Sequence, residues 1–278
     1  MPEATAKYQV EALARGLRVL RILADTGRPQ RLTDLVEMVQ IPTATLFRVV
    51  STLEHEGYLE KDKDGRYFPA VGVLQLGFAS LRASGLVGVA EGPLKDLSRR
   101  VGETVNLGIL TGDRILYLIR IRNNDLVTAH LEAGSSLPAT STSIGKVLLS
   151  QLEPDRRQEL LNERSFSEGG GPNAVRSLAE FEAQMGGIRE QGFAIQDEEV
   201  AAGLRSIAAP IVDADGRVVA GVNIAVASSR FTKQALLDEL KDELLRTSSD
   251  ISRHLGADVH ARNPPARTLA GQVRLPGT

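Results

Sequence analysis

The chain has 278 residues, enough for two domains of roughly 100–200 residues each. Hydrophobic residues make up 42% and charged residues 24%, an ordinary globular balance, and the absence of cysteine excludes disulfides, thiolate zinc sites and cysteine nucleophiles together. Net charge is −2, and residues 1–70 carry ten basic against ten acidic side chains, so any nucleic-acid contact must rest on local placement of charge.

No apolar run approaches the ~20 residues that span a bilayer. The opening MPEATAKYQVEALARG lacks the uninterrupted apolar segment of a signal peptide. A soluble cytoplasmic protein without membrane contact is expected.

Residues 8–24 carry Val10, Leu13, Leu17, Leu20 and Leu23 at three- and four-residue steps, the apolar stripe of a helix ended by Gly27 and Pro29. A short second helix follows in LTDLVEMVQ, with Thr33 as N-cap and Leu35, Val36 and Val39 inward. Ile41-Pro42 makes a tight corner, and proline is tolerated in a first helical turn. The third helix buries Leu46, Val49, Val50 and Leu53. Its opposite face holds Thr43, Ala44, Thr45, Arg48, Ser51 and Thr52: small, hydroxyl-rich, with one cation. After Gly57, the segments around KDKDG pair as a hairpin turned at Asp64-Gly65.

Residues 71–83 read as another helix and 86–101 as a longer amphipathic one. Strands are then expected at 104–110, 114–121 and 126–132, with a turn at Thr111-Gly112-Asp113. Helices follow at 143–152 and near 177–191, separated by the loop SEGGGPN. Strands at 205–213 and 217–227 flank Ala214-Asp215-Gly216, and a last helix spans about 232–255. The fold class is α+β, with four regions: an N-terminal winged helix-turn-helix at 1–70, a linker helix at 71–85, an α+β domain with a mainly antiparallel sheet at 86–256, and a disordered tail at 257–278.

A winged helix-turn-helix lays its last helix in the major groove of double-stranded DNA, with residues near that helix's N-terminus at base edges. Small hydroxyl side chains let the backbone approach the duplex and donate to phosphates. Arg48 is placed to read guanine or hold a phosphate, and Lys61, Lys63 and Arg66 on the wing to reach a flanking backbone. Thr33 joins this set at the start of the second helix. The competing reading is an ordinary solvated surface helix of a small bundle, or one used for protein contacts.

The α+β part holds no convincing catalytic set. His55, His130, His254 and His260 have no metal-ligand spacing to one another. There is no G-x-S-x-G, and Gly145-Lys146 lacks the earlier glycine of a phosphate loop. No cofactor is expected. The unusual polar residues lie among apolar ones: Thr140 to Ser143 before an apolar helix, Arg205-Ser206 opening an apolar strand, and Asn223 within VVAGVNIAV. Buried polar groups need partners, and a bound polar ligand is one; capping and backbone hydrogen bonds are the other reading.

The stretch GLRVLRILADTGRPQRLTDLVEMVQIPTATLFRVVSTLEHEGYLEKDKDGRYF resembles the DNA-binding half of the IclR family of bacterial transcription regulators. LPATSTSIGKVLLSQL (137–152) and GFAIQDEEVAAGLRSIAAPIVDADGRVVAGVNIAV (192–226) are similar to that family's effector-binding domain. The resemblance implies a GAF-like effector domain, operator DNA and a small organic or aromatic acid as partners, and a homodimer or dimer of dimers. By resemblance, the effector-contact positions are Ala129, Leu137, Ser143, Ile144, Gln196, Leu204, Ser206, Asn223 and Ala225, with Arg205 added as an anion partner. Gln196 stands where the family's small-acid-binding member has aspartate, Ser206 where it has cysteine, and Asn223 and Ala225 where it has serines. These departures argue against the same ligand. GLRSIAAPI with VNIAV is closer to the branch governing aromatic-acid degradation through the β-ketoadipate pathway, whose effectors are anions suited to neutral donors plus an arginine. The resemblance therefore implies a ligand-responsive regulator of an aromatic-acid catabolic operon. An enzyme acting on a small acid, with an appended winged helix, is the alternative.

Overall fold

The computed structural model describes residues 10–123, 131–168 and 170–257, and the chain divides into two compact units between Ala83 and Ser84. The first unit contains α1 (Glu11–Thr26), α2 (Leu32–Val39), α3 (Thr43–His55), the hairpin strands β1 (Leu59–Lys61) and β2 (Tyr67–Pro69), and the start of α4 (Val71–Ser84). Val19, Leu23, Leu35, Val39, Leu46, Val50, Leu59 and Tyr67 form its core. Each large side chain buried there stabilises the unit by about 1.5–3 kcal/mol.

Two expectations about the first helices need correction. Thr33 is not the N-cap of α2; that position falls two residues earlier, at Arg31, whose backbone N–H donates to the Asp34 carboxylate at 3.1 Å. The stripe expected on α1 splits into two faces. Gly16, Val19 and Leu23 are buried, with Gly16 against Leu53 and Val49, whereas Val10, Leu13 and Leu17 are 64%, 63% and 54% exposed. Three- and four-residue steps predict a shared face but not which of two apolar faces meets the core.

The turn between α2 and α3 passes through Gln40 at φ 56°, and the Pro42 carbonyl accepts the first hydrogen bonds of α3, from the N–H groups of Thr45 and Leu46. β1 and β2 pair antiparallel with Lys61 opposite Tyr67. Gly72 anchors α4: its N–H donates to the Gly57 carbonyl at 3.2 Å, and a Cβ there would lie 2.5 Å from that oxygen. Val71, Leu74, Leu76 and Phe78 then stand exposed on α4.

The second unit is built on a six-stranded antiparallel sheet in the order β5-β4-β3-β8-β7-β6. Its strands are β3 (Thr104–Thr111), β4 (Arg114–Ile121), β5 (Ser136–Pro138), β6 (Ala194–Asp197), β7 (Leu204–Val212) and β8 (Val218–Ala227). Helix α5 (Leu86–Val101) precedes β3, while α6 (Ser143–Leu149), α7 (Pro154–Leu160), α8 (Glu163–Ser167) and α9 (Leu178–Gln191) lie between β5 and β6. The last helical segment runs from α10 (Lys233–Ala235) through a π-helical turn (Leu236–Leu240) into α11 (Lys241–His254).

Side chains alternate across strands, so each strand feeds two cores. Val222, Ile224 and Val226 join Leu94, Leu97 and Ile251 of α5 and α11 on one face. On the other, Ile144, Val147 and Leu148 of α6 and Phe181 and Met185 of α9 pack with Ile115, Tyr117 and Ala208. The strand expected at 126–132 falls largely outside the described residues, and Leu131 and Glu132 are not in a strand; β5 is the strand that pairs with β4. The helix expected at 143–152 ends at Leu149.

Candidate functional site

On α3 the apolar stripe holds Leu46 and Val50 fully buried and turns the opposite side outward. Thr43, Ala44, Arg48 and Thr52 are exposed, and Thr45 and Ser51 are half-buried at the edges. Thr52 is partly committed, since its hydroxyl donates to the Arg48 carbonyl at 2.9 Å. Phe47 stands on the same outward side, 53% exposed. It was missed because an apolar residue beside a buried stripe reads as core. Thr33 is exposed on α2, within hydrogen-bond distance of Asp34.

The wing is mostly neutralised from within. Lys61 donates to Glu54 at 3.0 Å and sits 4.8 Å from the Tyr67 ring centroid, and Tyr67, then Glu54, hold its pKa above the ordinary value. Arg66 pairs with Asp62 at 2.9 Å and with Asp64. The Arg66 backbone N–H and guanidinium keep the Asp62 carboxyl below the usual range. Lys63 is exposed with no hydrogen bond or ion pair among the described residues.

In the second unit, strand register assembles a polar patch on the α6 face. Gln196 lies opposite Ser206, and Ser206 opposite Ala225; one step along, Asn223 lies opposite Asn106, and Asn106 opposite Arg120. The two rows are closed by α6, whose first residue is Ser143. The Ser143 and Ser206 hydroxyls meet at 2.7 Å; Asn223 Nδ2 donates to Ser143 Oγ at 3.3 Å; Asn106 Nδ2 donates to Asn223 Oδ1 at 2.7 Å; an Arg120 guanidinium N–H donates to Asn106 Oδ1 at 3.1 Å. All but Arg120 are buried. Partial burial lowers the Arg120 pKa, so this cation is partly stripped of water. Gln196 is fully buried; its Oε1 accepts the Glu199 N–H at 2.9 Å, while its Nε2 has no hydrogen-bond partner among the described residues.

The backbone around Ser143 tolerates little change. Thr142 caps α6 by accepting the Gly145 N–H at 3.0 Å, and a Cβ on Gly145 would lie 2.0 Å from the Ala139 carbonyl oxygen. Ile144 seats its side chain over Gly108 and Gly221, so it spaces the helix from the sheet. Beneath the patch, Lys146 forms a buried ion pair with Glu199 and donates to Gln184 at 3.0 Å. Burial lowers the Lys146 pKa and raises that of Glu199, against their mutual attraction. The loop carrying Glu199 is fixed by Gly171, where a Cβ would meet the Glu198 carbonyl oxygen at 2.0 Å.

Of the residues expected at the effector site, Ser143, Gln196, Ser206 and Asn223 converge, Ala225 and Leu204 are buried beside them on the same strands, and Leu137 lies half-buried on β5. Ala129 lies outside the described residues. Arg205 is not with the group. Alternation turns it away from Ser206, and its guanidinium is engaged by Asp197, by Glu198 at 3.6 Å, and by the carbonyls of Ser228 and Phe231 at 2.9 and 2.8 Å. The arginine in contact with this group is Arg120, through Asn106. Asn106 and Arg120 escaped sequence reading because polar residues alternating through a strand look like a solvated face.

A family model described as "Bacterial transcriptional regulator IclR C-terminal" matches residues 78–253, and the IclR helix-turn-helix model matches residues 12–63. The chain belongs to the IclR family. The Pca regulon regulatory protein of Pseudomonas putida is 32% identical over 246 residues, covering 88% of this chain and 84% of that protein. A putative transcriptional regulator from Rhodococcus sp. RHA1 superposes with a TM-score of 0.70 at 33% identity, over 89% of this chain and 98% of that one. An IclR homolog from Microbacterium hydrocarbonoxydans, crystallised with 4-hydroxybenzoate, shares the fold with a TM-score of 0.73 at 23% identity, over 88% and 99% of the two chains.

As an IclR-family member, the chain is a ligand-responsive transcription regulator, with a helix-turn-helix domain for DNA and a C-terminal domain for a small-molecule effector. The enzymatic alternative falls with this assignment, because the family and its relatives are regulators. Among the described residues no cluster fit to hold a metal occurs, and no single helix is long and apolar enough to cross a membrane.

Proposed function

We propose that this IclR-family regulator controls an aromatic-acid catabolic operon from the cytoplasm and senses a small organic or aromatic acid on the polar patch between α6 and the sheet. The observation that carries this reading is the buried chain Ser206–Ser143–Asn223–Asn106 with Gln196 Nε2 beside it lacking an acceptor among the described residues. A buried donor without a partner costs about 1–3 kcal/mol, which an acceptor on a ligand recovers. A carboxylate suits the neutral donors of Asn106, Asn223, Ser143 and Ser206 with the partly desolvated Arg120 at the end of the row. The 32% identity with the Pca regulon regulatory protein supports an aromatic acid.

In this reading α3 enters the major groove with Thr43, Ala44, Thr45, Arg48 and Ser51 toward base edges and phosphates, and Thr33, Thr52, Lys61, Lys63 and Arg66 toward the flanking backbone. Two such helices engage half-sites ~34–36 Å apart, or a multiple of that, through a homodimer or dimer of dimers. The exposed apolar residues of α1 and α4 support self-association, since such a run on a folded chain marks a surface that another chain covers. The helix α4 transmits the effector signal, with a coupling of about 1–3 kcal/mol.

A thermal-shift and calorimetric screen of aromatic acids, ring-cleavage products and sugar acids tests the assignment. Binding of an aromatic acid that changes affinity for the operator is the expected result. A response confined to sugar acids overturns the aromatic assignment and leaves the patch in place.

A further inference from the structure

Phe47 is the one large apolar residue on the outward side of α3, and it is 53% exposed. The core of the unit is complete without it, because Leu46 and Val50 of the same helix are fully buried and Val49 and Leu53 fill the flanks. A singly exposed apolar residue is unremarked on most surfaces. Here its position gives it meaning. Residues three and four apart are neighbours on a helix, so Phe47 is bordered by Thr43, Ala44 and Ser51, with the buried Val50 on its inner side. A surface built to dock a protein would be continuous and apolar; this one is a single ring among small, mostly hydroxyl-bearing side chains, next in sequence to Arg48.

Major-groove chemistry supplies one apolar target. Each base pair presents hydrogen-bond donors and acceptors there, and only thymine presents a methyl group. A phenyl ring set against a guanine or cytosine edge leaves polar atoms dehydrated and unpaired, whereas against thymine it covers a methyl. We propose that Phe47 is a specificity-determining residue that selects thymine by contact with its C5 methyl, one per half-site. This rests on the reading of α3 as the groove-entering helix. Arg48 and the hydroxyl residues then fix register and orientation, and Phe47 supplies discrimination that no hydrogen bond reports.

The test uses the full-length protein and a duplex selected by it from a randomised library. Each thymine of that duplex is replaced in turn by deoxyuridine, which removes only the methyl, and affinity is read by fluorescence anisotropy at fixed salt. Wild type is expected to lose about fourfold at one symmetry-related thymine per half-site, the worth of one buried methyl. Phe47→Ala, whose fold is checked by its melting curve, is expected to bind the parent duplex more weakly and to be indifferent to that same replacement. Equal sensitivity of wild type and Phe47→Ala at every thymine overturns the proposal. So does a wild type insensitive throughout. Arg48→Ala separates the two levels: if it weakens binding while Phe47→Ala does not, α3 reads DNA and the methyl contact is wrong. If neither variant weakens binding, the placement of α3 in the groove is wrong as well.

Discussion

Ser143 and Ser206, 63 positions apart in the chain, meet hydroxyl to hydroxyl at 2.7 Å inside the effector unit. The contact joins the first residue of α6 to β7, the strand next to the sheet edge, so a ligand that separates the two oxygens moves a helix against a strand. A population shift of this kind requires the ligand to prefer one arrangement over the other.

The first prediction follows from that contact. Ser206→Leu fills the space between α6 and β7 and removes one hydroxyl of the row. It is expected to cost about 1–3 kcal/mol of stability by overpacking and to abolish effector binding in titration calorimetry. Affinity for operator DNA without effector should remain. A variant that still binds the acid at wild-type affinity removes Ser206 from the site.

Arg48 is exposed on α3, and its side chain has no partner among the described residues. Arg48→Ala is expected to lower specific operator affinity by about 1–3 kcal/mol if it reads a base, or to weaken all sequences uniformly with a shallower salt slope if it holds a phosphate. Melting temperature and oligomeric state should not change. A gel shift with unaltered specific and non-specific affinity would exclude the residue from the interface.

The ion pair of Lys146 and Glu199 gives a prediction with a sign. Both side chains are buried, so Lys146→Met leaves a carboxylate without its cation and is expected to cost about 3–5 kcal/mol at neutral pH. In that variant burial holds the Glu199 pKa above its ordinary value of 4.5 without opposition from Lys146. The unfolded chain then releases the proton first, so stability is full below that value and falls as pH rises through the folded pKa. Denaturant midpoints should therefore favour mildly acid buffer for the variant more than for wild type, and the double variant with Glu199→Gln should recover much of the loss. A pH profile parallel to wild type would show that losing Lys146 leaves the titration of Glu199 unchanged.

Val71, Leu74, Leu76 and Phe78 stand exposed on α4. Leu74→Glu with Phe78→Glu is expected to shift light-scattering mass toward a smaller species at micromolar concentration, with each unit still folded by circular dichroism. Unchanged mass at every dilution would place the self-association surface elsewhere.

Much of this architecture was legible locally. Gly27 stops α1 and Gly57 follows α3, Asp64-Gly65 and Asp215-Gly216 turn the hairpins, and Leu46, Val49, Val50 and Leu53 mark the inner side of α3. The features that escaped are non-local. Asn106 and Arg120 belong to the polar row only through the register of β3 with β8 and β4, which no short window encodes. Arg205 and Ser206 are adjacent in sequence, yet strand alternation sends one to Asp197 and the other to Ser143. Thr33 misled because an acid three residues after Arg31 competes with a hydroxyl for the helix start. The outer stripe of α1 could not be sorted from the inner one, since Val10, Leu13 and Leu17 are as apolar as the residues that enter the core and yet lie outside it.

The hairpin that carries Lys61 and Arg66 spends both cations on neighbouring acids. A protein that neutralises few phosphates releases few counterions, and the grip of random duplex weakens accordingly. On the proposed placement of α3 in the groove, such a wing adds little to the hold on unrelated sequence, and discrimination rests on the face of α3 that meets base edges.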